Sequence, residues 1–173
     1  MCGRYCTPDE KEIRPGDETT VYTLQGAEKM RWGIPLSSSR LVINARSESA
    51  QDKPLFRQAM LKGRCIIEAA SFFEWDDRKR CHAFSSPGRN TLHLAALYTL
   101  ADDGQKRFTV LTQQAAGEAQ KVHPRMPCFL PTPEYRDLWL QSATLAPELL
   151  QEKPPLTIER VRKSAEQVSL FPD

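Results

Sequence analysis

The sequence predicts an α+β fold: one domain, residues 1–173, on a curled, barrel-like, mostly antiparallel β-sheet with a few peripheral helices. Three observations carry that expectation. Short runs rich in β-branched and aromatic residues recur along the chain, separated by Gly, Pro and Asp turn chemistry. Few segments carry helix punctuation, so helices are peripheral to the strands. The 173 residues, 40% hydrophobic and 27% charged, suit a single core.

Taken in order, Thr7 to Gly16 mixes charge with Pro8 and Pro15 and reads as a loop or short helix ending in a turn. Thr19–Leu24 is β-branched and aromatic, Met30–Pro35 alternates large apolar with polar or small residues, and both read as strands. Ser37 to Ser39 connects to the apolar run Leu41–Ile43, which ends at Asn44. The clearest helix is Lys53–Gly63, with Asp52 as acidic cap candidate, Pro54 in the first turn and a closing glycine. Arg64–Ala70 is a buried-type strand feeding Ser71–Trp75, and Asp76–Arg80 reads as a hairpin connection or exposed loop. Cys81–Ser86, Thr91–Leu100 and Arg107–Gln113 follow as strands of a meander, separated by Pro87–Asn90 and Asp102–Gly104 turns. Gly117–Val122 suits a short helix, and His123–Pro127 precedes a short apolar strand, Cys128–Leu130. Thr132 caps a second helix with Pro133 at its first position, and Leu156–Val161 closes the series as a strand.

Composition excludes several classes. No apolar stretch approaches the ~20 residues that span a bilayer, and no apolar leader follows Met1, so the expectation is an intracellular, cytoplasmic protein with no membrane partner. The five cysteines (Cys2, Cys6, Cys65, Cys81, Cys128) are odd in number and lack a Cys-x-x-Cys pair, which favours free thiols. Three histidines, none at metal spacing, argue against a metal site, and no cofactor is expected. A net charge of +2 leaves room only for a local basic groove, but the cations are arginine-rich, which suits bidentate phosphate binding.

Four polar constellations sit where periodicity does not ask for them: Cys2-Gly3-Arg4, Asn44-Ala45-Arg46-Ser47-Glu48, Glu74-Trp75 and His123-Pro124-Arg125-Met126-Pro127. Cysteine after Met1 is small enough for methionine trimming, which leaves Cys2 with an α-amine and a thiol on adjacent carbons. With reference pKa values of about 8 for the amine and about 8.5 for the thiol, both are partly deprotonated near neutral pH. Such a 1,2-aminothiol condenses with an aldehyde to an imine, onto which the thiol closes as a thiazolidine. Each constellation also has a structural explanation: a buried thiol, a turn cap at Asn44, a Glu74–Arg46 ion pair, a backbone-satisfied His123.

Taken together, these strings resemble the SOS-response-associated peptidase (SRAP) family. Arg14-Pro15-Gly16-Asp17, Arg31-Trp32-Gly33-Ile34-Pro35, Lys53-Pro54-Leu55-Phe56-Arg57 and Arg64-Cys65-Ile66-Ile67 join them in the family's order, over nearly the whole chain. The resemblance implies a single barrel-like domain with a basic groove for single-stranded DNA. It also implies a processed N-terminal cysteine that forms a thiazolidine crosslink with the aldehyde of an abasic site, shielding the lesion in DNA repair. Carried over position by position, Cys2 is the nucleophile, Glu74 and His123 are proton-transfer groups, and Asn44 holds the amino-terminal region and the sugar. Arg4, Arg46 and Arg125 are implied to bind phosphates. Trp32 and Trp75 are candidates to stack on bases, with a core role for Trp32 equally open. The chain departs from the family in its Glu68-Ala69-Ala70-Ser71 lead-in to Phe72-Phe73-Glu74-Trp75, where members commonly read Pro-Ala-Asp-Gly. The expected partner is single-stranded DNA containing abasic sites, bound by a monomer. Three alternatives stay open: a thiol (auto)peptidase that releases Met1, a non-covalent single-stranded DNA binding module, and an abasic-site lyase acting through the imine.

Overall fold

The structure, a computed structural model, describes residues 2–37, 39–88 and 90–161. Met1, Ser38 and Arg89, on which the trimming, connection and turn expectations fall, lie outside the described residues. The early strands are β1 (Tyr5–Cys6), β2 (Glu12–Ile13), β3 (Glu18–Thr23), β4 (Gly26–Trp32), β5 (Ile34–Ser37), β6 (Arg40–Val42) and β7 (Asn44–Arg46). Helix α1 (Pro54–Lys62) leads into β8 (Arg64–Ala69), β9 (Ser71–Trp75), β10 (Cys81–Ser85), β11 (Leu92–Leu100) and β12 (Lys106–Gln114). The chain continues through β13 (Arg125–Pro127), α2 (Pro133–Gln141), α3 (Ala146–Leu149) and β14 (Thr157–Arg160).

Five strands close a barrel in the order β3-β4-β12-β11-β8, returning to β3 through Tyr22↔Ile66. All contacts are antiparallel except β4 with β12, which run parallel at Arg31↔Arg107. Side-chain alternation explains why these strands read as near-continuous apolar runs. Cys65, Ile67, Leu94, Ala96, Phe108 and Val110 fill the barrel, while Ile66, Ala95, Leu97 and Leu111 face an outer layer with Phe56 and Met60 of α1 and Trp139 of α2. Both faces are covered, so both alternate sets are apolar.

A second sheet, β14-β10-β9-β1-β2, lies against this core. Phe72 of β9 stacks on Phe84 of β10 with ring centres 4.7 Å apart, and Tyr5, Ile13 and Cys2 join the barrel's apolar cluster. The expected meander is therefore split. The β9–β10 and β11–β12 hairpins both form, but β10 pairs with β9 and β14 while β11 crosses to the barrel. Met30–Pro35 is likewise two strands, separated by Gly33 at φ +108, a backbone state that favours glycine.

Helix α1 starts where expected, but Pro54 at its first position sets the start; Asp52 lies in a preceding 3-10 turn and Lys53 occupies the cap without a side-chain bond. Gly63 closes α1 for a different reason from the left-handed cap. At φ −120 it needs no special conformation, but a Cβ there would stand 2.2 Å from the Tyr98 carbonyl oxygen. Thr132 caps α2 as expected, accepting from the Tyr135 N–H. The strand expected at Cys128–Leu130 falls earlier, at Arg125–Pro127, because those residues pair with Thr112–Gln114 of β12. That shift puts His123 at the strand's threshold.

Candidate active site

Three separated segments meet at the amino terminus. β1 pairs antiparallel with β9 at Tyr5↔Phe72, and the Phe73 N–H donates to the Arg4 carbonyl at 2.9 Å. Carrying that register back sets Gly3 opposite Glu74, so the first residues run along the strand that bears the acid. β7, parallel to β12, delivers Asn44 from the other side: its Nδ2 donates to the Cys2 carbonyl at 2.8 Å. The turn before β13 delivers His123, whose Nδ1 lies 3.8 Å from Glu74 Oε1. Cys2, Asn44, Glu74 and His123, singled out separately in sequence, thus share one corner.

Burial sets the chemistry of this corner. Glu74 is only 2% exposed, and loss of water around it raises its carboxyl above the usual range, with His123 pulling the other way. The Cys2 thiol is fully buried and donates weakly to the Arg4 carbonyl at 3.7 Å. Burial first, and the Glu74 charge second, push it up to about 12. The expectation that the thiol is partly ionised near neutral pH is therefore corrected: in this setting it is held as S–H. Asn44 is anchored through its amide nitrogen, while its Oδ1 is buried with no hydrogen-bond partner among the described residues. At His123, the Nδ1 lies 3.0 Å from both the N–H and the carbonyl oxygen of Arg125, so the backbone engages it whether it accepts or donates.

The cationic and aromatic candidates separate. Arg46, at the end of β7, is exposed and makes no side-chain hydrogen bond or ion pair among the described residues. Arg4 lies over the rings of Phe73 at 4.2 Å and Trp75 at 5.0 Å, donates to Cys81 Sγ at 2.9 Å and stands 3.5 Å from Glu12. Trp75 is 38% exposed, so Arg4 and Trp75 form a half-open platform beside Glu74. Trp32 does not belong to it. The side chain is 0% exposed, stacked on Phe108 with its N–H donating to the Ile43 carbonyl at 2.9 Å, so the base-stacking expectation gives way to the core role. Arg125 is engaged within the protein. Its guanidinium grips Glu48 at 2.7 and 2.9 Å and the Thr112 carbonyl at 2.5 Å. Sequence reasoning assigned no role to Glu48 or Thr112; Glu48 stood within the Asn44–Glu48 string, but nothing in that string indicates a partner 77 positions away.

All five cysteines are free thiols. Among the described residues no three His, Cys, Asp or Glu side chains are grouped to hold a metal ion, and no helix is long and apolar enough to cross a membrane. The altered lead-in leaves β9 in place. Ala70 N–H donates to the Cys6 carbonyl at 2.8 Å, and Glu68 turns to His93 at 3.3 Å.

The chain is similar to known proteins in sequence and in fold. The chain is 31% identical over 140 residues to the abasic site processing protein YoaM of Bacillus subtilis, covering 71% of this chain and 60% of that one. It is 25% identical over 146 residues to the abasic site processing protein HMCES of Xenopus tropicalis, covering 64% and 44%. The chain thus spans about three-fifths of the length of its bacterial relatives. A crystal structure of a protein from Bordetella bronchiseptica superposes with a TM-score of 0.80 at 24% identity, covering 94% of this chain and all of that one, and shows the same fold. Residues 4–168 match the family described as SOS response associated peptidase (SRAP), and the chain belongs to that family.

Proposed function

We propose that the chain recognises abasic sites in single-stranded DNA and, once Met1 is removed, closes a covalent thiazolidine on the lesion through Cys2, shielding it during DNA damage repair. The observation that carries this reading is the convergence of Cys2, Asn44, Glu74 and His123 on one corner, in a chain whose relatives are named for abasic-site processing.

The buried thiol supports an order of steps in which the amine acts first. Held as S–H with its pKa up to about 12, it is a poor first nucleophile, so the α-amine attacks first. Addition to the C1′ aldehyde gives a carbinolamine, and one water leaves as the imine forms. Glu74, its carboxyl raised by burial, is more often protonated near neutrality than an ordinary carboxyl, and so suited to protonate the departing hydroxyl. His123, 3.8 Å away, exchanges protons with it. The S–H then adds across the C=N bond, sulfur to carbon and hydrogen to nitrogen. The sum is one thiazolidine and one water.

The remaining residues hold the substrate. Asn44 fixes the Cys2 backbone through Nδ2 and offers its buried Oδ1 to a sugar hydroxyl. An unpartnered buried acceptor costs about 1–3 kcal/mol, which a substrate O–H recovers. Arg46 takes a phosphate. Trp75, backed by Arg4, stacks a neighbouring base, a contact worth about 1–3 kcal/mol that tolerates any sequence. Because the thiazolidine consumes the imine, lyase cleavage is confined to the interval before ring closure. A peptidase mechanism starting from a Cys2 thiolate is disfavoured by the same raised thiol. Acting on DNA, the protein works inside the cell, at the nucleoid in a prokaryote.

The test uses Met1-free protein with a single-stranded oligonucleotide carrying either an abasic aldehyde or its tetrahydrofuran analogue, resolved on a denaturing gel. A heat-resistant shift is expected for the aldehyde strand only, and is lost in Cys2→Ala. Equal retention of both strands in native gels with no covalent band would reduce the protein to a non-covalent binder.

A further inference from the structure

Glu48 lies just beyond β7 and is half exposed. It grips the Arg125 guanidinium with both oxygens, at 2.7 and 2.9 Å, the fork-to-fork geometry in which an Arg–carboxylate pair is strongest. The same guanidinium donates to the carbonyl of Thr112 at 2.5 Å and to its hydroxyl at 3.2 Å. Thr112 is fully buried on β12, pairs in register with Arg46, and its carbonyl also accepts from the Ser47 N–H at 2.9 Å. One side chain therefore ties the segment just after β7, the end of β12 and the start of β13.

What that tie holds is His123. The Arg125 N–H and carbonyl oxygen each stand 3.0 Å from His123 Nδ1, so the Arg125 backbone sets the plane and position of the imidazole. The imidazole in turn faces Glu74 at 3.8 Å. The chain of contacts runs Glu48, Arg125 side chain, Arg125 backbone, His123, Glu74. An Arg side chain only 14% exposed and already holding four acceptor atoms is built to brace a loop more than to search for a phosphate. We infer that Glu48 is a positioning residue for proton transfer at the Cys2 corner, acting through Arg125 to fix His123 against Glu74. Its carboxyl is held below the usual range, chiefly by the Arg125 hydrogen bonds, so the carboxylate stays charged near neutral pH.

This inference rests on the proposed crosslinking reaction, and the competing possibility is specific. If Glu48 merely occupies Arg125 in place of a DNA phosphate, its removal frees a cation and improves DNA binding without slowing the chemistry. Glu48→Gln separates the two, because it keeps the side chain's size and removes the charge. Crosslinking is followed at saturating protein, and affinity is measured on the non-reactive tetrahydrofuran strand. A positioning role predicts a saturating rate lower by about tenfold or more, since a slightly misplaced catalytic group is costly, with affinity for the tetrahydrofuran strand unchanged or tighter. The double variant Glu48→Gln/Arg125→Gln then loses no more than the worse single variant, as members of one strut do.

Imidazole nitrogen NMR of the free protein gives a readout independent of DNA. With three histidines in the chain, the His123 signal is expected to shift in Glu48→Gln while those of His82 and His93 stay. An unchanged saturating rate, a loss that excess protein restores, or an unmoved His123 signal would each overturn the assignment. If the wild-type protein forms no covalent link, the crosslinking proposal fails on its own, while the His123 signal still decides whether Glu48 sets the imidazole.

Discussion

Two buried polar clusters in this molecule are treated in opposite ways. At the carboxy-terminal ends of α1 and α2, the Arg64 side chain is nearly as buried as Glu74, at 7% against 2% exposure. It spends four N–H donors on the carbonyls of Met60 (2.5 Å), Leu61 (2.8 Å), Trp139 (2.5 Å) and Leu140 (3.1 Å). Those carbonyls belong to the last turns of two helices, where intrahelical partners run out, so one cation closes both ends. At the Cys2 corner, burial is matched less completely. The Glu74 carboxyl is raised, the thiol is pushed up to about 12, and Asn44 Oδ1 has no partner among the described residues. The first cluster uses its hydrogen-bonding capacity to hold the fold. The second keeps capacity in reserve, and reserve capacity beside a nucleophile is what a reaction needs.

The comparison predicts opposite responses to removing charge. Arg64→Met should be the most damaging of these changes to stability, since it leaves four helix-end carbonyls without their donor. A loss of about 3 kcal/mol is expected, which for a chain of this size lowers the melting temperature by roughly 6 to 12 °C. A loss near zero in thermal melts would mean that the Arg64 cluster is dispensable and the contrast unfounded.

Glu74→Gln should do the reverse. The folded carboxyl titrates above its unfolded value of about 4.3, so the folded state favours the neutral acid, and stability is lost as pH rises from that value through the raised one. Replacing the acid by a neutral amide should therefore raise the melting temperature at pH 7 to 8, by roughly 2 °C or more. It should also slow crosslinking by about a hundredfold, within the range for a lost acid–base group. A destabilised but fully active variant would place Glu74 with Arg64 among the structural groups.

The smallest effect compares cysteines. Alkylation at pH 8 by a small thiol reagent, mapped by peptide mass, should mark the half-buried Cys6 and Cys81 well before Cys2. Raising the pH should speed Cys2 labelling progressively toward its value of about 12. Preferential labelling of Cys2 at pH 7 would instead indicate a thiolate and restore a thiol-first mechanism.

Much of this was legible in local sequence. Pro54 and Thr132 start their helices by fixed geometry and capping, and the apolar runs at β8, β11 and β12 announce strands covered on both faces. Cys2, by its place after Met1, and the polar strings holding Asn44, Glu74 and His123 were visible in the sequence, but it was the resemblance to the family that gave these four residues their roles. Other features depend on pairings between distant segments, which leave no local trace. The parallel β4–β12 contact closes the barrel and, with it, turns Trp32 inward; the letters Arg31-Trp32-Gly33 read the same for an exposed stacking ring. Arg125 reads as a phosphate ligand until Glu48 is found in its fork. The Cys2 thiol reads as partly ionised until β1 is seen paired with β9 and the Cys2 side chain inside the core cluster.

The central claim is that both groups of Cys2 end on the same carbon of the abasic sugar. Borohydride treatment of the purified protein–DNA adduct, followed by intact mass measurement, tests it most directly. An imine and a thiazolidine each form with loss of one water and have equal mass, but only the imine takes up hydride. A thiazolidine predicts an adduct whose mass is unchanged by borohydride and whose link survives heating. An adduct that gains two hydrogens, or one that still forms unchanged in Cys2→Ser, would contradict it.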